Sequence, residues 1–112
     1  MSLREQLLKK SEQAREIIFE KSCKTLKTKL VQTMNEYAEN GLTEGILDFT
    51  EYFEEGEFLY KVNKIYGNKN FDKIETLKFL IKKMREENND EFYYIWFDVK
   101  FTGEIKFGWG EN

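Results

Sequence analysis

Residues 91–110 read Glu91-Phe92-Tyr93-Tyr94-Ile95-Trp96-Phe97-Asp98-Val99-Lys100-Phe101-Thr102-Gly103-Glu104-Ile105-Lys106-Phe107-Gly108-Trp109-Gly110. This stretch holds both tryptophans and eight of the chain's eighteen aromatic residues, so the core is expected to be organised on it. With a period of two, Tyr93, Ile95, Phe97, Val99 and Phe101 form one apolar set. Phe92, Tyr94, Trp96, Asp98 and Lys100 form the other, aromatic first and charged afterwards. Alternation of this kind, rich in β-branched and aromatic residues, predicts a strand. After Thr102-Gly103 the pattern resumes, with Ile105, Phe107 and Trp109 against Glu104, Lys106, Gly108 and Gly110.

The loop length decides the register, because a slip of one residue sends every side chain to the opposite face. A two-residue loop pairs Phe101 with Glu104 and Val99 with Lys106, mixing core with charge. A three-residue loop, Phe101-Thr102-Gly103, pairs Val99 with Ile105, Phe97 with Phe107 and Ile95 with Trp109. It also sets Lys100 opposite Glu104 and Asp98 opposite Lys106, and it places Gly103 where a left-handed residue makes the bulge of such hairpins. Each cross-strand pair contributes only about 0.2–1 kcal/mol, but all of them favour the three-residue loop. The same register lays Trp96 over Gly108 and Tyr94 over Gly110. Phe92, Tyr94 and Trp96 thus form an outer aromatic strip. It either shields bare backbone beneath a covering helix or offers a partner the ring types enriched at binding hot spots.

Working outward, 112 residues make one domain, 1–112, with an expected radius of gyration near ~13 Å. A 40% hydrophobic content with strong periodicity argues against disorder, and the net charge of −3 is ordinary. One cysteine, Cys23, excludes an internal disulfide. With no secretory leader or long apolar run, a cytoplasmic protein that does not enter the membrane is expected. The chain has no histidine, which removes His-based triads and His-containing metal sites, and one cysteine builds no thiolate cage. No phosphate-cradling glycine loop is present. Neither a cofactor nor a metal is expected, and an enzyme is not.

Ser2-Leu3-Arg4-Glu5 has the form of a capping box. No Gly or Pro interrupts the chain from there to Ala38, and Asn40-Gly41 is a stop signal. A helix of that length runs about 54 Å, longer than a compact domain of this size is broad. It therefore bends near Ser22, projects its first turns, or packs on a second copy. Residues 41–53 read as a strand with Leu47, Phe49 and Phe53 on one face. Residues 58–66 fit a short helix, with Phe58, Leu59, Val62, Ile65 and Tyr66 on one face and only Tyr60 misplaced, and a strand that aligns Phe58, Tyr60, Val62 and Tyr66 is the alternative. Residues 71–87 are a helix with Phe71, Ile74, Leu77, Leu80, Ile81 and Met84 inward. The fold class is α+β: a long N-terminal helix, a strand, one or two helices and a C-terminal hairpin, with helices packed on a three-stranded antiparallel sheet.

Charge is segregated. Residues 30–60 carry eight acidic groups and no basic ones, and residues 61–85 carry eight basic and two acidic. Glu51, Glu54 and Glu55 of the acidic block are candidates for docking on a basic partner; the block lacks a calcium-loop pattern. Lys78, Lys82 and Arg85 form a stripe on the 71–87 helix that suits nucleic-acid phosphates, although lysines on an exposed helix face are commonplace. Cys23 lies on the apolar stripe of the first helix and, with no histidine as base, reads as a small core residue.

The plan resembles that of small α+β accessory proteins encoded by phages and other mobile elements. The likeness rests on the helix-ending turn Ala38-Glu39-Asn40-Gly41, a strand, a further helix and a terminal hairpin with Phe107-Gly108-Trp109-Gly110. The resemblance implies action by binding, as an inhibitor or immunity protein, and names no target or residue. The expected function is a non-catalytic protein-binding module, with Phe92, Tyr94, Trp96, Glu51, Glu54 and Glu55 meeting the partner and a homodimer as its expected state. The alternative is a small nucleic-acid-binding protein using residues 61–85.

Overall fold

The computed structural model describes residues 2–66 and 73–110. Helix α1 (Leu3–Glu39) is followed by strand β1 (Glu44–Asp48), a 3-10 turn (Thr50–Phe53), helices α2 (Phe58–Tyr66), α3 (Lys73–Glu87) and the single turn α4 (Asn89–Phe92), then strands β2 (Trp96–Val99) and β3 (Glu104–Gly108). The class is the expected one, α+β with a three-stranded antiparallel sheet, in the order β1-β3-β2. The expected place of Phe71 in the α3 stripe lies outside the described residues.

The hairpin has the three-residue loop. Val99 pairs with Ile105, Asp98 with Lys106, Phe97 with Phe107 and Trp96 with Gly108. The Lys100 N–H donates to the Glu104 carbonyl at 2.8 Å, and the Gly103 N–H to the Lys100 carbonyl at 3.0 Å. Gly103 has φ +92°, the left-handed conformation this loop requires. In ion pairing, Lys100, just past the end of β2, meets Asp98 of that strand.

Central strand β3 carries Ile105 and Phe107 into the core, both fully buried. Above them lie Leu26 and Leu30 of α1, Leu59 and Val62 of α2, and Leu77, Leu80 and Met84 of α3, all in the same cluster. Truncating any one of these leucines to alanine removes about 2–5 kcal/mol. The other sheet face presents Glu44, Ile46, Asp48 and Asp98 to solvent.

Two predicted strands are shorter than their patterns. The Asp48 carboxylate accepts from the Thr50 N–H at 2.9 Å and the Thr50 hydroxyl at 2.8 Å. This local capture turns the chain out of the sheet after Phe49, so Phe49 reaches the core on the expected alternation while Phe53 reaches it from a 3-10 turn. At residues 89–92 a helical turn replaces the start of the predicted strand. Its anchor is Lys27, whose ammonium donates to Asn88 Oδ1 at 2.9 Å and to Glu91 Oε1 at 2.8 Å.

The first turns of the long helix project from the domain. Helix α1 starts with the Ser2 hydroxyl accepting the Glu5 N–H at 3.2 Å. It ends in a Schellman motif, Leu42 N–H to the Tyr37 carbonyl at 3.0 Å and Gly41 N–H to the Ala38 carbonyl at 2.9 Å. Residues 3–17 are exposed, whereas Ser22, Cys23, Leu26, Leu30 and Met34 are buried. The long axis reaches 58 Å and the radius of gyration 15.9 Å, above that of a compact domain of this length.

A Cβ at Gly103 would lie 2.6 Å from Thr50 Cγ2, in a left-handed backbone. Gly103→Ala should therefore lower unfolding stability by about 1–3 kcal/mol in urea titration. An unchanged midpoint would mean that the loop is built otherwise.

Candidate functional site

The aromatic segment after α4 is arranged differently from an outer strip. The α4 turn rotates Phe92 inward to 2% exposure, where its ring meets Phe97 edge-on at 5.6 Å. Phe92 is thus a core anchor, a correction to its expected place in a partner surface. Tyr94 does not lie over Gly110, because the chain at 93–94 is a turn and not a strand. Tyr93, expected inside, stands out with it. The two are 65% and 83% exposed and pack edge-on against each other, at 4.7 Å between centroids. Phe101, also expected inside, is 89% exposed because it opens the hairpin loop.

Trp96 keeps its predicted position. It is half-buried on the solvent face of β2, its indole lying over Gly108, where an added Cβ would meet the ring at 2.5 Å. This is close ring-on-backbone packing, so part of the indole serves the sheet itself.

Between α1 and the residues that flank the two tyrosines, Phe92 and Ile95, runs a groove of about 290 Å³. Val31, Met34, Phe92, Ile95 and Trp109 floor it and Glu91 stands at its rim. A second groove of about 660 Å³ continues along α1 past Lys24, Lys27 and Gln32, sharing Val31, Asn35 and Glu91 with the first. Sequence reasoning missed this surface because it assigned 91–95 to a strand. The run Asn88-Asn89-Asp90-Glu91, amide and acidic groups suited to a helix start, was the available signal.

Glu51, Glu54 and Glu55 are exposed on and just after the 3-10 turn. They follow Asp48, which pairs with Glu104 beside the hairpin loop, whereas Trp96 pairs at the opposite end of β3. The six residues grouped by sequence therefore occupy two ends of the sheet and the core. Among the described residues no three acidic or thiol groups gather in a manner able to hold a metal ion, and no helix is long and apolar enough to cross a membrane.

Lys78, Lys82 and Arg85 do come together. They line one wall of a groove of about 410 Å³ between α3 and β2, with Phe97, Asp98 and Val99 on the other. The Arg85 guanidinium lies 5.4 Å from the Phe97 ring centre, within cation–π range. Lys78 is 3.8 Å from Glu75 across one helical turn, a surface pair of small energetic weight.

Cys23 is 2% exposed, its thiol 3.9 Å from the Leu80 carbonyl. Burial foremost, then nearby Glu87, raises its pKa from 9.0 to about 11, with Lys83 acting in the opposite sense. A protonated, enclosed thiol is a poor nucleophile.

Compared with known protein families, with characterised proteins and with solved structures, the chain matches none of them.

The folded thiol holds its proton more tightly than the unfolded one. Its contribution to stability is therefore complete below pH 9.0 and is lost as pH rises toward about 11. A thiol-reactive chromogenic disulfide at pH 8 should label Cys23 at the rate of global unfolding, and denaturant should release full reactivity. Rapid labelling of native protein would contradict the buried position.

Proposed function

We propose that the protein is a non-catalytic protein-binding module whose docking surface is the Tyr93–Tyr94 corner and the apolar groove beside it. The observation that carries this reading is the pair of tyrosines, held out in solvent directly after a phenylalanine that is fixed in the core. Two large rings with a rigid base lose little conformational freedom on contact, which is what makes such residues binding anchors. The adjacent groove gives a partner side chain an apolar floor. An inhibitor or accessory role of the phage or mobile-element type, in the cytoplasm, is the setting that the resemblance in plan suggests.

A homodimer is part of the same proposal. Leu3, Leu7, Leu8 and Ile17 are exposed on the projecting half of α1, and a lone helix of this length is marginal in water, so a second copy would shield them. The nucleic-acid reading has less support. Three cations share their surface with Glu75 and Asp98, and so short a stripe neutralises few phosphates.

Tyr93→Ala with Tyr94→Ala is the direct test, in pull-down from the native host compared with the parent protein. The double variant should unfold within about 0.5 kcal/mol of the parent, as for exposed positions, and lose the captured partner. Retention of the same partner at the same yield would refute this surface. Sedimentation of Leu7→Lys with Leu8→Lys checks the dimer: a monomer is expected where the parent is dimeric, and a monomeric parent would refute it.

A further inference from the structure

Strand β2 is an edge of the sheet, and among the described residues no strand pairs with its outer side. In an antiparallel pair, alternate residues turn their N–H and C=O groups toward the neighbouring strand. The Lys100 N–H bonds to Glu104 of β3, so Trp96 and Asp98 also face β3. Phe97 and Val99 then direct their N–H and C=O away from the sheet. These groups open into the 410 Å³ groove whose far wall is the Lys78, Lys82 and Arg85 stripe.

The geometry points to strand addition: β2 and α3 form a groove that takes an extended, acidic segment of a protein partner. The backbone of such a segment would pair with Phe97 and Val99, supplying affinity independent of sequence, while its acidic side chains meet Lys78, Lys82 and Arg85. Four residues of strand span about 14 Å, so only a short stretch is recognised.

Two observations separate this occupant from the others. A second copy pairing β2 with β2 would bring two sets of these cations together, a like-charge clash. The opposite edge of a second copy is encumbered, because the Tyr37 hydroxyl already donates to the Ile46 carbonyl of β1 at 3.3 Å. Against a nucleic acid stands the row of outward backbone donors and acceptors on β2, which matches a peptide backbone. The surface is separate from the Tyr93–Tyr94 corner and does not depend on it.

The test is fluorescence anisotropy with an end-capped seven-residue peptide of alternating glutamate and valine. Its comparators are the lysine–valine analogue, a version N-methylated at alternate amides, and single-stranded oligothymidylate. The glutamate–valine peptide should bind at least tenfold tighter than each comparator and protect the Phe97 and Val99 amides from exchange. Lys78→Glu with Lys82→Glu should weaken it at least tenfold, and Tyr93→Ala with Tyr94→Ala should leave it unchanged. Equal binding of the N-methylated version would overturn strand pairing, and tighter binding of the oligonucleotide would overturn the choice of partner. Failure of the glutamate–valine peptide to bind at all would overturn the groove itself.

Discussion

One left-handed residue sets the sides of this molecule. With Gly103 at φ +92°, the hairpin closes in three residues, and every pair from Val99–Ile105 to Trp96–Gly108 follows. A loop one residue shorter would send Ile105 and Phe107 to solvent and Glu104 and Lys106 inward, exchanging two core residues for two buried charges. The Gly103 carbonyl also accepts the Phe49 N–H at 3.1 Å, so the same residue ties the end of β1 to the hairpin. Sheet, core and open faces are consequences of that turn.

Helix α1 is divided by the same core. From Ser22 to Met34 it is held by burial against the sheet and α3, whereas residues 3–17 lie beyond the sheet's reach. That half keeps its helix through its N-cap and the lack of any breaker, with no tertiary burial to support it. The packed half in turn positions the surfaces of interest. Lys27 reaches across to Asn88 and Glu91, stabilising the α4 turn that buries Phe92 and leaves Tyr93 and Tyr94 outside.

Much of this was legible in the sequence, and the limits have physical causes. The hairpin register could be read because period two, charge pairing and loop chemistry all agreed on one alignment. Helix α3 could be read because its apolar stripe permits no other face, whereas the nine residues of α2 are few enough for their apolar positions to fit a strand as well. The exposure of Phe92 and the place of Tyr94 over Gly110 were misread because alternating aromatics continue without a break into the helical turn. What ends the strand there is Lys27, sixty-four residues before Glu91 in sequence. The strand expected through Phe53 stops at Asp48 because a carboxylate captures the next turn, and apolar spacing carries no trace of that bond. The three cations of α3 were visible as a stripe, but the open edge of β2 facing them depends on the strand order β1-β3-β2.

The central claim, that Gly103 fixes a register leaving one edge of β2 bonded and the other open, is tested most directly by amide exchange across β2 in the free protein. Exchange should be slow at Asp98 and Lys100, whose N–H groups face β3, and fast at Phe97 and Val99. The inverse alternation, or equal protection at all four amides, would contradict it.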